Sequence, residues 1–298
     1  MYAPFFIMLG GLEMKYWIWL SRIKGLGPIK IKQLLDIYKT PERIWELSKK
    51  ELMNIKGIGE KMADEIIEAT YRKNLDQYVD YMKKYHIGMI TVYDHDYPEK
   101  LKHIYDAPVI LYYKGNKDLL KEDNAIGMIG SRECSEYGKE VSLRFSYELA
   151  KRGTCIVSGM AKGIDSYSHK GCIKGGGKTI AVLGNGVDQI YPKENTALYN
   201  EIIQTGGLIL SEYVIGTKPS RLNFPARNRI ISGLSNSIIV IEAKEKSGTL
   251  NTVDFALDQG KDVFVVPGNI TSQNSIGTNE LIKQGAKCIT RVEDALIC

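Results

Sequence analysis

The sequence predicts an α/β protein, a mostly parallel sheet with helices on both faces, preceded by a small all-α domain. Three observations predict it. From Ala125 onward short apolar runs alternate with helical stretches; those runs are apolar throughout rather than at every second position; and a glycine-centred pattern occurs twice near the N terminus. Strand and helix in alternation build a parallel sheet. Fully apolar strands fit burial on both sheet faces.

The N-terminal residues come first. The run Pro4–Leu9 is too short to span a bilayer. A secretory signal carries a basic first segment, and the first charge here is Glu13. Residues 1–13 therefore read as an extension, and MKYWIWL from Met14 reads as the start of the first helix. A helical domain is expected over 14–72. Within it RIKGLGPIKIKQLL (Arg22–Leu35) and NIKGIGEKMADEII (Asn54–Ile67) share one pattern, apolar-x-Gly-apolar-Gly before an apolar helical face. That is the helix-hairpin-helix pattern. Gly25, Gly27, Gly57 and Gly59 let the chain turn sharply and leave N–H groups exposed at a helix start, where an anion is held well. Lys24, Lys30, Lys56 and Lys61 flank the two hairpins. Contact with a DNA backbone is one reading of them; packing or docking of another protein is the other.

Residues 73–120 read as a connector. It includes turn residues around Pro98 and one strand, VILYYKGN. The sheet domain is expected over 121–298. Its strands are AIGMIG, CIVSG, TIAVLG, GLILSEY, SIIVIEA, DVFVVPG and KCIT; its helices are Glu136–Arg152, Ile164–Gly175, Asn195–Thr205, Thr249–Gln259, Ile276–Gln284 and Val292–Ile297.

Composition sets bounds on function. The chain has 298 residues, 44% hydrophobic and 25% charged, as in an ordinary globular protein with a sizeable core. A net charge of +5 permits nucleic-acid binding without arguing for it. The five cysteines are odd in number and form no CxxC pair, which suits reduced thiols in a cytoplasm. The four histidines show no metal-ligand spacing. No metal and no cofactor is expected.

Nearly every strand ends in small or polar residues: Gly130-Ser131-Arg132, Ser158-Gly159, Gly184-Asn185-Gly186, Ser211-Glu212, Glu242-Ala243 and Pro267-Gly268-Asn269. These ends share one edge of a parallel sheet, which is where open α/β sheets bind ligands. A dinucleotide fingerprint is absent, because GMIGSRECSEYG lacks GxGxxG. GGGKT at 175–179 resembles part of a phosphate loop, but Lys178-Thr179 opens a strand rather than a helix. No GxSxG, HExxH or zinc-deaminase signature is present. Asp165, Asp188, Glu212 and Glu242 stand near the edge; they suit metal or base chemistry, or the orientation of loops, and their scatter favours the latter.

Anion binding is better supported. Arg132 follows the first strand. SGTLNT places Ser247, Gly248 and Thr249 at a helix start with hydroxyl and N–H groups for an oxyanion. FPARNR supplies Arg227, Asn228 and Arg229, with Pro225 at the opening of a helix. Lys162, Lys193 and Lys218 lie in edge loops, and Tyr167, Tyr191 and Phe224 have rings on which bases stack. Arg gives bidentate phosphate contacts and Lys gives point charges. Together they suit a phosphodiester better than a neutral metabolite.

These strings, with GSR (130–132), SGMAKGIDSYSH (158–169), TIAVLGNGVDQIYPKEN (179–195), FPARNRIISGLS (224–235), EAKEKSGTL (242–250) and VPGNITSQNSIGTNELIKQGA (266–286), resemble the DprA/Smf family of DNA-processing proteins across the whole second domain. The resemblance implies an extended Rossmann-like fold and a cytoplasmic, usually homodimeric protein. It implies sequence-independent binding and protection of single-stranded DNA, DNA processing in natural transformation, and loading of a RecA-type recombinase, with no catalysis. It implies a basic pocket at the strand ends with Arg132 central, then Lys193, Arg227 and Arg229. Ser131, Ser158, Gly159, Lys162, Asn228, Ser247, Gly248 and Thr249 complete the expected DNA/phosphate-binding set. The chain stops at Cys298, so it is expected to lack the winged-helix-like domain that many members carry. Ser168 stands where an alanine is common, and Asn251-Thr252-Val253 replaces a more usual apolar-Thr-Ala string. The competing readings are a nucleotide sensor or phosphoribohydrolase-like enzyme on the same fold, with Glu242 as the acid, and a protein-docking scaffold.

Overall fold

The structure is a computed structural model and describes residues 11–68 and 74–296. Its contacts divide the chain into two compact units. One runs to Gly88 and takes in Asp106–Ile110; the other holds Met89–Tyr105 and Leu111 onward. The connector expected over 73–120 is therefore divided between them. Among the described residues no helix is long and apolar enough to cross a membrane.

The first unit is helical. Helices α1 (Gly11–Arg22), α2 (Pro28–Tyr38), α3 (Pro41–Trp45), α4 (Lys49–Met53), α5 (Glu60–Ile67) and α6 (Leu75–Lys84) follow one another. Helix α1 begins before Met14, so part of the expected extension is helical; residues 1–10 lie outside the described residues. The two glycine patterns adopt the same backbone. Gly25 and Gly57 have φ of 79° and 87°, a left-handed conformation open to glycine at no steric cost. Gly27 and Gly59 are extended N-caps of α2 and α5, accepting from Ile31 N and Ala63 N at 3.0 Å each. Leu26 N donates to Ile23 O at 3.2 Å and Ile58 N to Ile55 O at 3.0 Å, the same turn in both copies. They differ in charge. Helix α2 opens with Pro28 and has no acid in its first turn, whereas α5 opens with Glu60, paired with Lys49 at 3.0 Å. Trp19 and Trp45 pack edge-to-face at 5.0 Å inside this unit.

The second unit is built on a nine-stranded sheet, of which only the first residues of β1 and β2 fall outside that unit. Its strands are β1 (Gly88–Thr91), β2 (Ile110–Gly115), β3 (Ala125–Ile129), β4 (Cys155–Ser158), β5 (Thr179–Val182), β6 (Leu208–Ser211), β7 (Ser237–Val240), β8 (Asp262–Val265) and β9 (Lys287–Cys288). The order is β1-β2-β6-β5-β4-β3-β7-β8-β9, parallel from β6 to β9, with β2 antiparallel to β6. Strands β3 to β7 are buried along their whole length, as their apolar runs require. Each Ile, Leu or Val fully removed from water there contributes about 1.5–3 kcal/mol.

The helices are α7 (Glu99–Lys102), α8 (Glu136–Lys151), α9 (Ile164–Lys174), α10 (Thr196–Gln204), α11 (Asn223–Leu234), α12 (Gly248–Asp258) and α13 (Ile276–Lys283). The last segment expected as a helix is a short 3-10 turn, Val292–Ala295. From β3 the chain steps outward through α8, β4, α9 and β5 to β6, then crosses back through α11 to β7 on the other side of β3. Because parallel crossovers are right-handed, stepping both ways from β3 puts α8–α10 on one face and α12–α13 on the other. The switch point lies between β3 and β7, and the strand ends there form the edge at which open α/β sheets bind ligands.

Helices α8 and α9 pack on one another through small residues. Ser142 Oγ and Ser168 Oγ lie 2.9 Å apart, and a side chain at Gly171 would run into Ser146 Oγ and the Leu143 carbonyl. That seam lets the two backbones approach closely and fixes them side by side.

Candidate nucleic-acid interface

Three strand-end loops and the start of α11 meet at this edge. After β3, the Ser131 carbonyl accepts from Ile164 N at 3.1 Å, so the GSR turn sits on the first turn of α9. Gly163 makes this possible. Its φ is 77°, and a Cβ there would meet the Arg132 carbonyl oxygen at 2.6 Å. After β4, Met160 holds a left-handed φ of 60°, an uncommon conformation for a residue with a side chain. Asn195 supports it: its Nδ2 donates to Met160 O and to Ser166 Oγ, 2.8 Å each. Asn195 stands at the N-cap position of α10 and makes no capping bond there. It fixes the loop after β4 against the loop after β5 instead.

The aromatic and cationic side chains follow from those loops. Phe224 on α11 lies over Gly184, where a Cβ would come within 2.7 Å of Phe224 Cδ1. Tyr191 stacks on Phe224, centroids 5.5 Å apart and planes inclined by 23°. The exposed Arg132 guanidinium stands 5.4 Å from the Phe224 centroid, a cation–π distance. Tyr191 precedes Pro192 through a cis peptide bond. Lys193 is exposed just beyond, and Lys162 is exposed in the loop after β4, ion-paired with Glu194. Arg132, Lys162, Lys193, Tyr191 and Phe224 are thus presented on these loops and on the start of α11, at one edge.

Other expected site residues are engaged by the protein. Arg227 is buried; its Nη1 donates to Gly159 O at 2.8 Å and to Val182 O, and its Nε to Asn228 Oδ1 at 3.2 Å. Arg229 is buried too, and its guanidinium grips Glu212 through two bonds of 2.7 and 2.6 Å. Named among the expected phosphate ligands, these two arginines are buried and join strand ends to α11. Asn228 is half-buried beside Arg227. Ser131 is buried, its N–H donating to Glu242 O at 2.9 Å, and buried Ser158 Oγ donates to Met128 O at 2.7 Å. Gly159 leaves room for the Arg227 guanidinium, 2.6 Å from where a Cβ would sit. Ser247 caps α12, accepting from Thr249 N at 3.2 Å; Gly248 is exposed and Thr249 is buried.

The four acids near the edge also hold the fold. Glu242 accepts from Ser135 N and Oγ at 2.9 and 2.5 Å, at the start of α8. Asp188 accepts from Gly216 N at 2.8 Å, and Asp165 from Ala161 N at 3.2 Å. Burial pushes the Asp165 carboxyl up, against the pull of Arg227. Burial lowers Arg227 to about 10, so it stays a cation at neutral pH. Among the described residues no group of three metal-ligating side chains occurs.

Comparison with known proteins fits both units. The family described as DNA recombination-mediator protein A matches residues 88–298, and a SAM-like helix-hairpin-helix tandem matches residues 20–70. Protein Smf of Synechocystis sp. is 40% identical over 280 residues, 93% of this chain and 70% of that protein. DNA processing protein DprA of Streptococcus pneumoniae is 47% identical over 206 residues, 69% of this chain and 72% of that one. The X-ray structure of Streptococcus pneumoniae DprA superposes with a TM-score of 0.81 at 39% identity, covering 95% of this chain and 96% of that one. The DprA structure from Helicobacter pylori, described for its single-stranded DNA binding mode, superposes with a TM-score of 0.65 at 32% identity, covering 71% and 94%. With a family match over the sheet unit and a solved relative that superposes over nearly the whole chain, this protein belongs to the DNA recombination-mediator protein A family, also known as DprA/Smf.

Proposed function

We propose that this protein binds single-stranded DNA along the strand-end edge of its sheet, without sequence preference and without cutting it. The observation that carries the reading is the Arg132–Phe224–Tyr191 stack with Lys162 and Lys193 on neighbouring loops. It pairs cations for phosphates with the exposed aromatic residue Tyr191 for a base, the two needs of a single strand. A duplex presents phosphates but hides its base faces. The Helicobacter pylori relative, described for its single-stranded DNA binding, supports the same ligand. Glu242, the acid a hydrolytic alternative would use, is engaged by Ser135, which weighs for binding over chemistry.

Protection of the strand, its transfer to a RecA-type recombinase during transformation, and action as a homodimer in the cytoplasm belong to the same proposal. Family membership supports them. The test is fluorescence anisotropy of labelled oligothymidylate at two salt concentrations, beside a duplex of equal length. Tight, salt-sensitive binding that prefers the single strand is expected. Equal or better binding of the duplex, or none at low salt, overturns the reading.

A further inference from the structure

The outer face of the α8–α9 pair repeats the chemistry of the edge. Tyr167 lies on α9, one turn beyond Gly163, and is half-buried. The Lys139 ammonium, from α8, stands 5.8 Å from its ring centroid. The Lys170 ammonium, from the next turn of α9, stands 5.4 Å from it. One ring is thus flanked by cations from two helices, both within cation–π range. The small-residue seam holds the two helices side by side, which keeps the lysine of one next to the tyrosine of the other.

The surrounding charge is one-sided on α9. Its one acid, Asp165, is buried, and its exposed ionisable residues beyond Tyr167 are Lys170 and Lys174. On α8 Lys139 is paired with Glu136 at 2.9 Å, and Glu136 is 88% exposed. Such solvent-exposed pairs are weak and yield to a phosphate. Both helices begin at the strand-end edge, so Lys139 and Tyr167, in their first turns, continue directly from the GSR turn that rests on α9.

We propose that Lys139, Tyr167 and Lys170 form a second contact for single-stranded nucleic acid, carrying the strand from the sheet edge down the α8–α9 face. The lysines take successive phosphates and the tyrosine takes a base or sugar. The proposal rests on the edge reading and extends it. The aromatic ring decides the occupant: an acidic peptide would use the lysines and have no need of the ring, and a duplex has no free base for it.

The experiment compares the parent, Lys139→Gln/Lys170→Gln, Lys139→Arg/Lys170→Arg and Tyr167→Leu by anisotropy. The probes are oligothymidylates of increasing length, each titrated with salt. Thermal unfolding confirms that the variants fold. Short oligomers should bind parent and variants alike. Long oligomers should lose about tenfold with the glutamine pair, with a salt slope lower by about 1.4 for two single-strand phosphates. Tyr167→Leu should lose about fivefold or more on long oligomers with no change of slope. The arginine pair should bind like the parent. Equal losses on short and long oligomers, no loss on either, or a Tyr167→Leu variant indistinguishable from the parent overturns this second contact alone. A parent that binds no oligomer of any length overturns the edge reading, and this proposal with it.

Discussion

The Arg132 guanidinium and the Phe224 ring stand 5.4 Å apart, and Tyr191 stacks on that same ring. The cation is therefore held by an aromatic neighbour while remaining exposed. Arg132→Ala should weaken binding of all single-stranded sequences alike and lower the salt slope by about 0.7. Because Arg132 is exposed, stability should shift by no more than about 0.5 kcal/mol. Anisotropy with salt titration and urea unfolding check the two halves; unchanged affinity in the folded variant removes Arg132 from the interface.

Gly184 tests the ring itself. A methyl group there would sit 2.7 Å from Phe224 Cδ1 and 3.4 Å from Phe224 Cα, so the ring must move. Gly184→Ala should cost about 1–3 kcal/mol by overpacking and reduce single-strand affinity several-fold as Arg132 and Tyr191 lose their support. A variant with the parent's stability and affinity would show that Phe224 positions neither.

Arg229 and Glu212 should behave quite differently from Arg132. Their side chains are 3% and 13% exposed and joined by two hydrogen bonds. Glu212→Gln leaves a buried guanidinium without its counter-charge, and about 3–5 kcal/mol of stability should be lost. Urea unfolding reads this directly. The folded fraction should keep the parent's affinity for oligothymidylate, since the pair supports the edge from within.

His169 should give a pH signature. It is fully buried; its Nδ1 lies 2.7 Å from Thr179 Oγ1, whose proton goes to Ile156 O. The imidazole therefore donates from Nδ1 and is neutral. Burial first, and Arg227 second, lower it from 6.5 to about 3. Between those values the unfolded chain binds a proton that the folded chain refuses. The contribution of His169 to stability should be full above pH 6.5 and fall with acidification at about 1.4 kcal/mol per pH unit until about pH 3. His169→Asn should flatten that slope relative to the parent in urea titrations from pH 7 to 4. Parallel slopes would mean that His169 takes up its proton without unfolding.

The sheet was legible because its strands are buried on both faces and so are apolar throughout. Strand direction was less so: VILYYKGN reads as a strand, but its antiparallel pairing with β6 depends on contacts remote in sequence. Gly88–Thr91, four residues with mixed burial, carries too little pattern to be read as a strand. At the edge, the place of Arg132 after a strand and of Lys193 in an edge loop was legible. The burial of Arg227 and Arg229 was not, because an arginine looks exposed until its buried partners are known. Those partners are the Gly159 carbonyl, 68 residues away, and Glu212, 17 residues away. Lys139 and Lys170 escaped for a related reason: each is an ordinary helical lysine until the serine seam brings both to one ring.

The two glycine hairpins share a backbone and differ in whether an acid already occupies the first helical turn. The tandem is consequently an experiment with its own internal control. Anything that answers to the shape of the hairpin must meet both copies equally, while anything that answers to charge must tell them apart, within one molecule and under one set of conditions.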